Sequence, residues 1–279
     1  MSPSDRPVAL VTGASRGIGR ACAIALAGAG HDVAVAARTL RDGDARIGDD
    51  EEIVVPGGLD TTVASIEDAG GAGLAVRLDL LDPTTIDETV DATLERFGRI
   101  DVLVNNAIYQ GPGSMTPFLE LGDEELRRLF EGNVFAQLEL IRRVLPDMID
   151  QGGGTIVNMI SATAHVDPPG KIGDGGWGMA YAMTKAAFER VAPLLCVEHG
   201  DDGVVAYSVD PGYVLTERAA LNSRKGGHDK HFTPATPEVI GAAVAWLVTA
   251  PEAPTDLAGK IVFAQREAKR RQLVPGWPS

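Results

Sequence analysis

The run Thr12-Gly13-Ala14-Ser15-Arg16-Gly17-Ile18-Gly19 constrains this chain more than any other feature. It follows a short apolar segment, Val8–Val11, and opens a helix-like stretch of small residues from Gly17 to Ala29. A strand that turns into a helix through glycines directs backbone N–H groups and a positive dipole end at one spot. Glycines there let a pyrophosphate approach the backbone and let the helix pack close to the sheet. A plain tight turn does not need three glycines placed at the first β-to-α crossover.

The rest of the chain repeats the alternation. Apolar, β-branched runs at Val33–Ala37, Leu74–Leu78, Ile100–Val104, Thr155–Ile160, Val204–Val209 and Lys260–Ala264 read as strands. Between them, Leu59–Ala69, Pro83–Phe97, Asp123–Ile149, Tyr181–His199 and Pro237–Val248 read as helices. Asp82 before Pro83 is a good N-cap and first-turn pair. Short buried strands alternating with helices predict an α/β fold: a doubly wound parallel sheet of Rossmann type, covered by helices on both faces. No repeat or linker divides the chain. The simpler organisation is one catalytic domain over 1–264 and a C-terminal tail over 265–279. Three polar or irregular stretches interrupt the alternation: Arg38–Gly58, His165–Ala180 and Glu217–Thr236. Ordinary connections run about 2–6 residues, so these are insertions. The acids of the first, Asp42, Asp44, Asp49, Asp50, Glu51 and Glu52, lack a fixed frame and read as a solvated loop, not a metal site.

Composition removes several function classes. The net charge of −14 disfavours nucleic acid and anionic membranes as partners. Cys22 and Cys196 sit in apolar helical stretches and read as core thiols of a reducing, cytoplasmic protein, not a disulfide or zinc site. Met1–Pro7 has no signal-peptide core. No uninterrupted apolar run reaches the ~18 residues of a membrane span.

Tyr181 and Lys185 stand at i and i+4, on one face of a helix. A tyrosine hydroxyl titrates near ~10, so it is a poor base at neutral pH. Lowering it to roughly 7 needs about 4 kcal/mol, and a unit cation ~4 Å away supplies that at an effective dielectric of ~20. Ser161 ends the preceding strand, where its hydroxyl can meet a substrate oxygen. Gly132-Asn133 falls inside a long helical pattern that both residues disfavour, which predicts a local break with a purpose.

Taken together, these motifs resemble the short-chain dehydrogenase/reductase family, whose signatures are Thr-Gly-x3-Gly-x-Gly and Tyr-x3-Lys. The resemblance runs from about Val8 to Ala264. It implies a catalytic tetrad of Asn133, Ser161, Tyr181 and Lys185, in which Ser161 polarises a carbonyl oxygen, Tyr181 passes the proton, Lys185 tunes Tyr181 and Asn133 supports a water relay. It implies a nicotinamide cofactor on Gly13, Ser15, Arg16, Gly17, Ile18 and Gly19 of the turn. Asp79 and Leu80 would lie at the adenine, and Asn106 and Ala107 along the cleft. Tyr181 and Lys185 would meet the nicotinamide ribose, and Pro211, Gly212, Val214 and Thr216 the nicotinamide end. Asn105-Asn106-Ala107-Ile108 departs from the family's Asn-Asn-Ala-Gly. Ser161 and Tyr181 stand further apart than the family norm.

Strand two ends in Ala36-Ala37-Arg38 with no acid to accept from a ribose, so NADP(H) is expected over NAD(H). Arg16 and Arg38 would share the 2′-phosphate. The expected reaction is reversible hydride transfer to a carbonyl or secondary alcohol. Alternatives are a non-catalytic dinucleotide-binding module and a nucleotide-sugar epimerase or dehydratase. The resemblance also implies a homodimer or homotetramer packed through Asp123–Ile149 and Tyr181–His199. His165–Ala180, with Trp177 and Met179, is expected to join Glu217–Thr236 as wall and lid of a pocket for a fairly apolar substrate. His165 is expected to make a structural bond. Lys269-Arg270-Arg271 is expected to be a solvated face.

Overall fold

A computed structural model describes residues 6–47, 53–223 and 234–277. Strand β1 (Val8–Thr12) leads through the glycine turn into α1 (Gly17–Gly28), then β2 (Asp32–Ala37). A short antiparallel hairpin, β3 (Arg46–Ile47) and β4 (Ile53–Val54), lies within the first insertion. Next come α2 (Leu59–Asp68), β5 (Gly73–Arg77), α3 (Pro83–Phe97) and β6 (Val102–Asn105). Helices α4 (Asp123–Phe130) and α5 (Ala136–Asp150) precede β7 (Gly154–Met159). Then follow α6 (Met179–Glu189), α7 (Val191–His199), β8 (Val204–Asp210) and α8 (Glu217–Ser223). The chain ends with α9 (Pro237–Thr249), α10 (Ala253–Leu257), β9 (Ile261–Phe263) and α11 (Ala264–Arg270).

The seven-stranded sheet has the order β5-β2-β1-β6-β7-β8-β9, and all its pairings are parallel. Every strand but the edge strand β5 supplies both faces with apolar groups, as the two-residue period of a strand allows. Ala9 and Val11 of β1 join one core with Cys22, Leu26, Ile66 and Val244. Val8 and Leu10 join the other with Val90, Phe97, Leu140 and Phe188. The chain order reverses between β1 and β6. Such a switch point opens a crevice at the carboxyl ends of the strands, where ligands bind.

Local chemistry explains the element ends. Helix α3 starts where Asp82 accepts from the Thr84 N–H at 3.2 Å. It stops at Gly98, in the left-handed region at φ 81°. The long helical pattern from Asp123 is broken by a π-helical turn over Glu131–Phe135, which contains Gly132 and Asn133. Both cysteines are free; burial pushes the Cys22 thiol up to about 12, which leaves it an inert core group.

The fold departs from expectation at three places. The 165–180 stretch folds back on itself. Ile172 bridges Gly176, where an added Cβ would stand 2.0 Å from the Gly170 carbonyl. The segment after Ala264 is ordered: α11 packs on α9, and Leu273, Val274 and Trp277 cover the first core. Within it Lys269 and Arg270 are exposed, but Arg271 is not a solvated group. Its guanidinium lies 3.6 Å over the Trp246 ring and bonds Glu267 at 3.1 Å. An aromatic face and a nearby carboxylate stabilise a cation better than open water does at that position. Asp49, Asp50, Glu51 and Glu52, and residues 224–233 of the third insertion, lie outside the described residues. No described helix is long and apolar enough to cross a membrane. No group of His, Cys, Asp and Glu among the described residues has the arrangement of a metal site.

Candidate active site

The glycine turn is shaped by backbone geometry. Gly13 and Gly17 sit at φ 67° and 55°, a region that side chains resist. A Cβ on Gly19 would stand 2.4 Å from the Gly13 carbonyl and 2.5 Å from the Asn106 amide. Those contacts are impossible, so the third glycine is what lets α1 close onto the turn. Asn106 locks the other side of the cleft, with Nδ2 donating to the Thr12 and Gly13 carbonyls at 2.9 and 3.2 Å. Thr12 Oγ1 accepts from the Asn106 and Ala107 N–H groups at 3.0 Å each.

A cleft of about 330 Å³ runs along this frame. Gly13, Ser15, Arg16, Gly17 and Ile18 line it, as do Arg38, Asp79, Leu80, Asn106, Ala107 and Thr216. Gly19, Pro211 and Gly212, expected at the cofactor, do not line it, and Pro211 and Gly212 belong to the loop after β8. The Gln265 amide holds that second loop by donating to the Pro211 and Tyr213 carbonyls at 2.9 Å each. Val214 is buried and bridges Ala235. Arg16 is less available than its position suggests. Its Nε and Nη2 donate to the Pro56 and Gly57 carbonyls at 2.8 and 2.6 Å. The first insertion therefore packs on the phosphate turn and walls the end of the cleft where Arg38 stands.

None of the four tetrad candidates lines this cleft: Tyr181 lines a neighbouring cavity that shares Gln110 and Arg218 with it, and Asn133 and Lys185 are buried. The π turn presents Asn133, whose Oδ1 accepts from the Tyr109 N–H at 2.7 Å and whose Nδ2 donates to the Tyr109 carbonyl at 3.1 Å. A Cβ on Gly132 would stand 2.5 Å from Tyr109 Cβ, so glycine is needed for that approach. Both groups of the Asn133 amide are thus committed to the main chain. The side chain acts here as a clamp on the segment after β6. Ser161 caps a short 3-10 turn by accepting from the Thr163 N–H at 3.3 Å, and its side chain is near enough to Tyr181 to favour the phenolate. Lys185 is buried, with Nζ donating to the Met159 carbonyl at 2.7 Å.

Comparison with known proteins agrees with this geometry. The short chain dehydrogenase family model matches residues 7–56 and 53–226. The L-rhamnose 1-dehydrogenase (NAD(P)(+)) of Sphingomonas sp. is 32% identical over 255 residues, covering 91% of this chain and 87% of that protein. The 3-oxoacyl-[acyl-carrier-protein] reductase of Synechocystis sp. is 31% identical over 258 residues, covering 91% and 93%. A variant of actinorhodin polyketide ketoreductase solved with NADPH superposes with a TM-score of 0.75 at 26% identity, covering 94% of this chain and 97% of that one. The chain belongs to the short-chain dehydrogenase family. Its fold is the Rossmann-like fold of that family. Its reaction class is hydride transfer between a nicotinamide cofactor and an alcohol or carbonyl compound.

Seen as a short-chain dehydrogenase site, the electrostatics correct one expectation. The lysine does not pull Tyr181 toward neutrality. Burial raises the Tyr181 hydroxyl to about 12; the nearby Ser161 side chain opposes the rise and the Asp210 carboxylate adds to it. Burial lowers Lys185 to about 8. Removing both groups from water favours their neutral forms, and the ammonium bonds the Met159 carbonyl.

The sequence did not single out Asp210 as a site residue. Its carboxyl is buried, and burial pushes it up, opposed by the Gly212 N–H at 2.8 Å and by His165. His165 Nε2 lies 3.3 Å from Asp210, and Nδ1 lies 2.8 Å from Glu189. This histidine ties β8 to the end of α6. The expected structural role holds.

The cavity beside Tyr181, about 480 Å³, is walled by Gln110–Thr116 and Arg218. The 165–180 stretch does not line it. That stretch backs the wall instead, since a Cβ on Gly178 would stand 2.1 Å from the Ser114 carbonyl. Trp177 is half-buried outside the cavity. Arg218 borders both the cavity and the cofactor cleft, and no local sequence pattern marked it.

Proposed function

We propose that this short-chain dehydrogenase is an NADP(H)-preferring carbonyl reductase and alcohol dehydrogenase with Tyr181 as its acid/base. The observation that carries the reading is Tyr181 on the wall of a cavity that shares Gln110 and Arg218 with a cleft whose far end holds Arg38 and no acid at the end of β2. The residues present suit a dinucleotide. Gly13, Gly17 and Gly19 leave room for a diphosphate, and Arg38 with part of Arg16 would meet a 2′-phosphate. Asp79 and Leu80 border the adenine end, and Thr216 the nicotinamide end. When bound, that group supplies or accepts the hydride. Ser161 orients the substrate oxygen, and Tyr181 gives it a proton or takes one back. Lys185 anchors the site through the Met159 carbonyl, and Asn133 holds the 109 segment in place. Catalysis then rests on positioning and on proton transfer at Tyr181 Oη.

Pro112 and Met115 in the cavity wall favour a substrate with an apolar body. A pure binding module has no use for a tyrosine hydroxyl and a buried lysine one helical turn apart beside such a cavity. Nicotinamide absorbance followed across a panel of carbonyl compounds, with NADPH and NADH in parallel, tests the reading. Turnover with NADPH at lower KM than with NADH is expected. Binding of NADPH without turnover of any carbonyl would overturn it.

The pH dependence follows from Tyr181. A hydroxyl raised to about 12 stays protonated through the neutral range, as donation to a carbonyl requires. Reductive kcat/KM is therefore expected to show no limb from Tyr181 between neutral pH and about 9. Oxidation needs the phenolate, whose fraction grows with pH, so the oxidative rate is expected to be still climbing above about pH 8. An oxidative limb that saturates below neutrality would contradict the acid assignment.

The protein is further read as a cytoplasmic homodimer or homotetramer. Phe135 just before α5, Met183 on α6, and Leu194 and Val197 on α7 are 53%, 42%, 51% and 82% exposed. Apolar groups of this size on α6, α7 and the turn before α5 are suited to burial between subunits. Light scattering at micromolar concentration is expected to give two or four chains; a monomer would refute the assembly.

A further inference from the structure

The N–H of Gly17, first residue of α1, points at the place where a phosphate group is best stabilised by the helix dipole. In this protein that N–H already has an anion. It donates to Glu217 Oε2 at 3.0 Å, across 200 residues of sequence. Glu217 opens α8 directly after Thr216, whose methyl would stand 3.1 Å from a Cβ placed on Gly17. The carboxylate is thus held over the glycine turn by the loop that follows β8.

The next residue carries the opposite charge. Arg218 is half-buried and borders both the cofactor cleft and the Tyr181 cavity. Arg16 and Arg38 line the same cleft. The charges around them interact: Glu217 and Asp42 favour the Arg16 cation, while Arg218 and Arg38 oppose it, and Arg38 opposes Arg218. Three guanidiniums around one crevice repel one another unless an anion sits among them, and among these groups Glu217 reaches the glycine turn itself.

A phosphate oxygen and the Glu217 carboxylate cannot share the Gly17 N–H, because two anions at hydrogen-bonding distance repel strongly. We propose that Glu217 is a resident anion that competes with the dinucleotide diphosphate for the start of α1, and that its neighbour Arg218 is a positioning residue that clamps those phosphates once Glu217 has yielded. Because Arg218 also walls the Tyr181 cavity, cofactor binding and the shape of the substrate site are coupled through α8. This rests on the reading of the cleft as the dinucleotide site.

The test uses the full chain and measures dissociation constants by calorimetry for NADPH and for adenosine, which has no phosphate. Glu217→Gln is expected to bind NADPH on the order of tenfold more tightly, an advantage that shrinks at high salt. It is expected to bind adenosine unchanged and to melt at a lower temperature without added nucleotide, because the charged cap on α1 is lost. Glu217→Asp keeps the charge on a shorter arm and is expected to fall between the two. Arg218→Gln is expected to weaken NADPH on the order of tenfold and to leave adenosine unchanged. NADPH affinity in Glu217→Gln that is equal to or weaker than the parent's would overturn the competition. Unchanged NADPH affinity in Arg218→Gln would overturn the clamp. If the parent binds neither NADPH nor adenosine, the cofactor reading itself fails, a result distinct from both.

Discussion

Tyr181→Phe is expected to lose about 10²–10⁴-fold in turnover while binding NADPH as the parent does. The substitution removes one oxygen and little volume, so the buried packing around α6 stays intact. What disappears is the proton donor beside Ser161. Ser161 keeps its bond from the Thr163 N–H at 3.3 Å. Steady-state rates in both directions, alongside calorimetry with NADPH, separate the chemical loss from a binding loss. Residual activity within a few-fold of the parent, with a good carbonyl substrate, would mean that another group moves the proton.

The second large effect is expected from Arg38→Asp. Charge-assisted bonds to a phosphate contribute about 1.5–3 kcal/mol, so removing them weakens NADPH by about 10–100-fold. The new carboxylate adds repulsion against a 2′-phosphate and offers an acceptor to a ribose hydroxyl. NADPH is therefore expected to lose more than NADH, and the preference is expected to fall or invert. Arg16 cannot take over the whole task, because its Nε and Nη2 are bound to the Pro56 and Gly57 carbonyls. Dissociation constants for both nucleotides check this. An unchanged NADPH-to-NADH ratio would show that the 2′-phosphate is read elsewhere.

Much of this architecture could be read from local pattern. Helix α3 was expected at Pro83–Phe97 and is found there, because its Asp82 cap, its leading proline and the left-handed Gly98 are all nearest-neighbour signals. The break at Gly132-Asn133 was visible because both residues disfavour a helix interior, and a π turn occupies the place. The glycines of the first turn were legible for the same reason: backbone that must approach another chain segment excludes a Cβ. The insertions were legible only as interruptions. Neither the β3–β4 hairpin nor the inward packing of 165–180 followed from composition. The pocket wall at Gln110–Thr116 went unmarked because short loop segments carry no periodicity.

The chain's own sequence determined the alternating elements, the doubly wound class and the family, since each rests on motifs whose residues lie within a few places of one another. Tertiary structure alone decided what those residues meet. It put Glu217 on the Gly17 N–H, drew Arg16 to Pro56 and Gly57, laid Arg271 on Trp246, and joined His165 to Asp210 and Glu189. It also set the acidity of Tyr181, which the spacing to Lys185 had suggested would fall and which burial raises. Spacing along a helix fixes which side chains share a face, whereas desolvation and charge contacts depend on every element packed against that face.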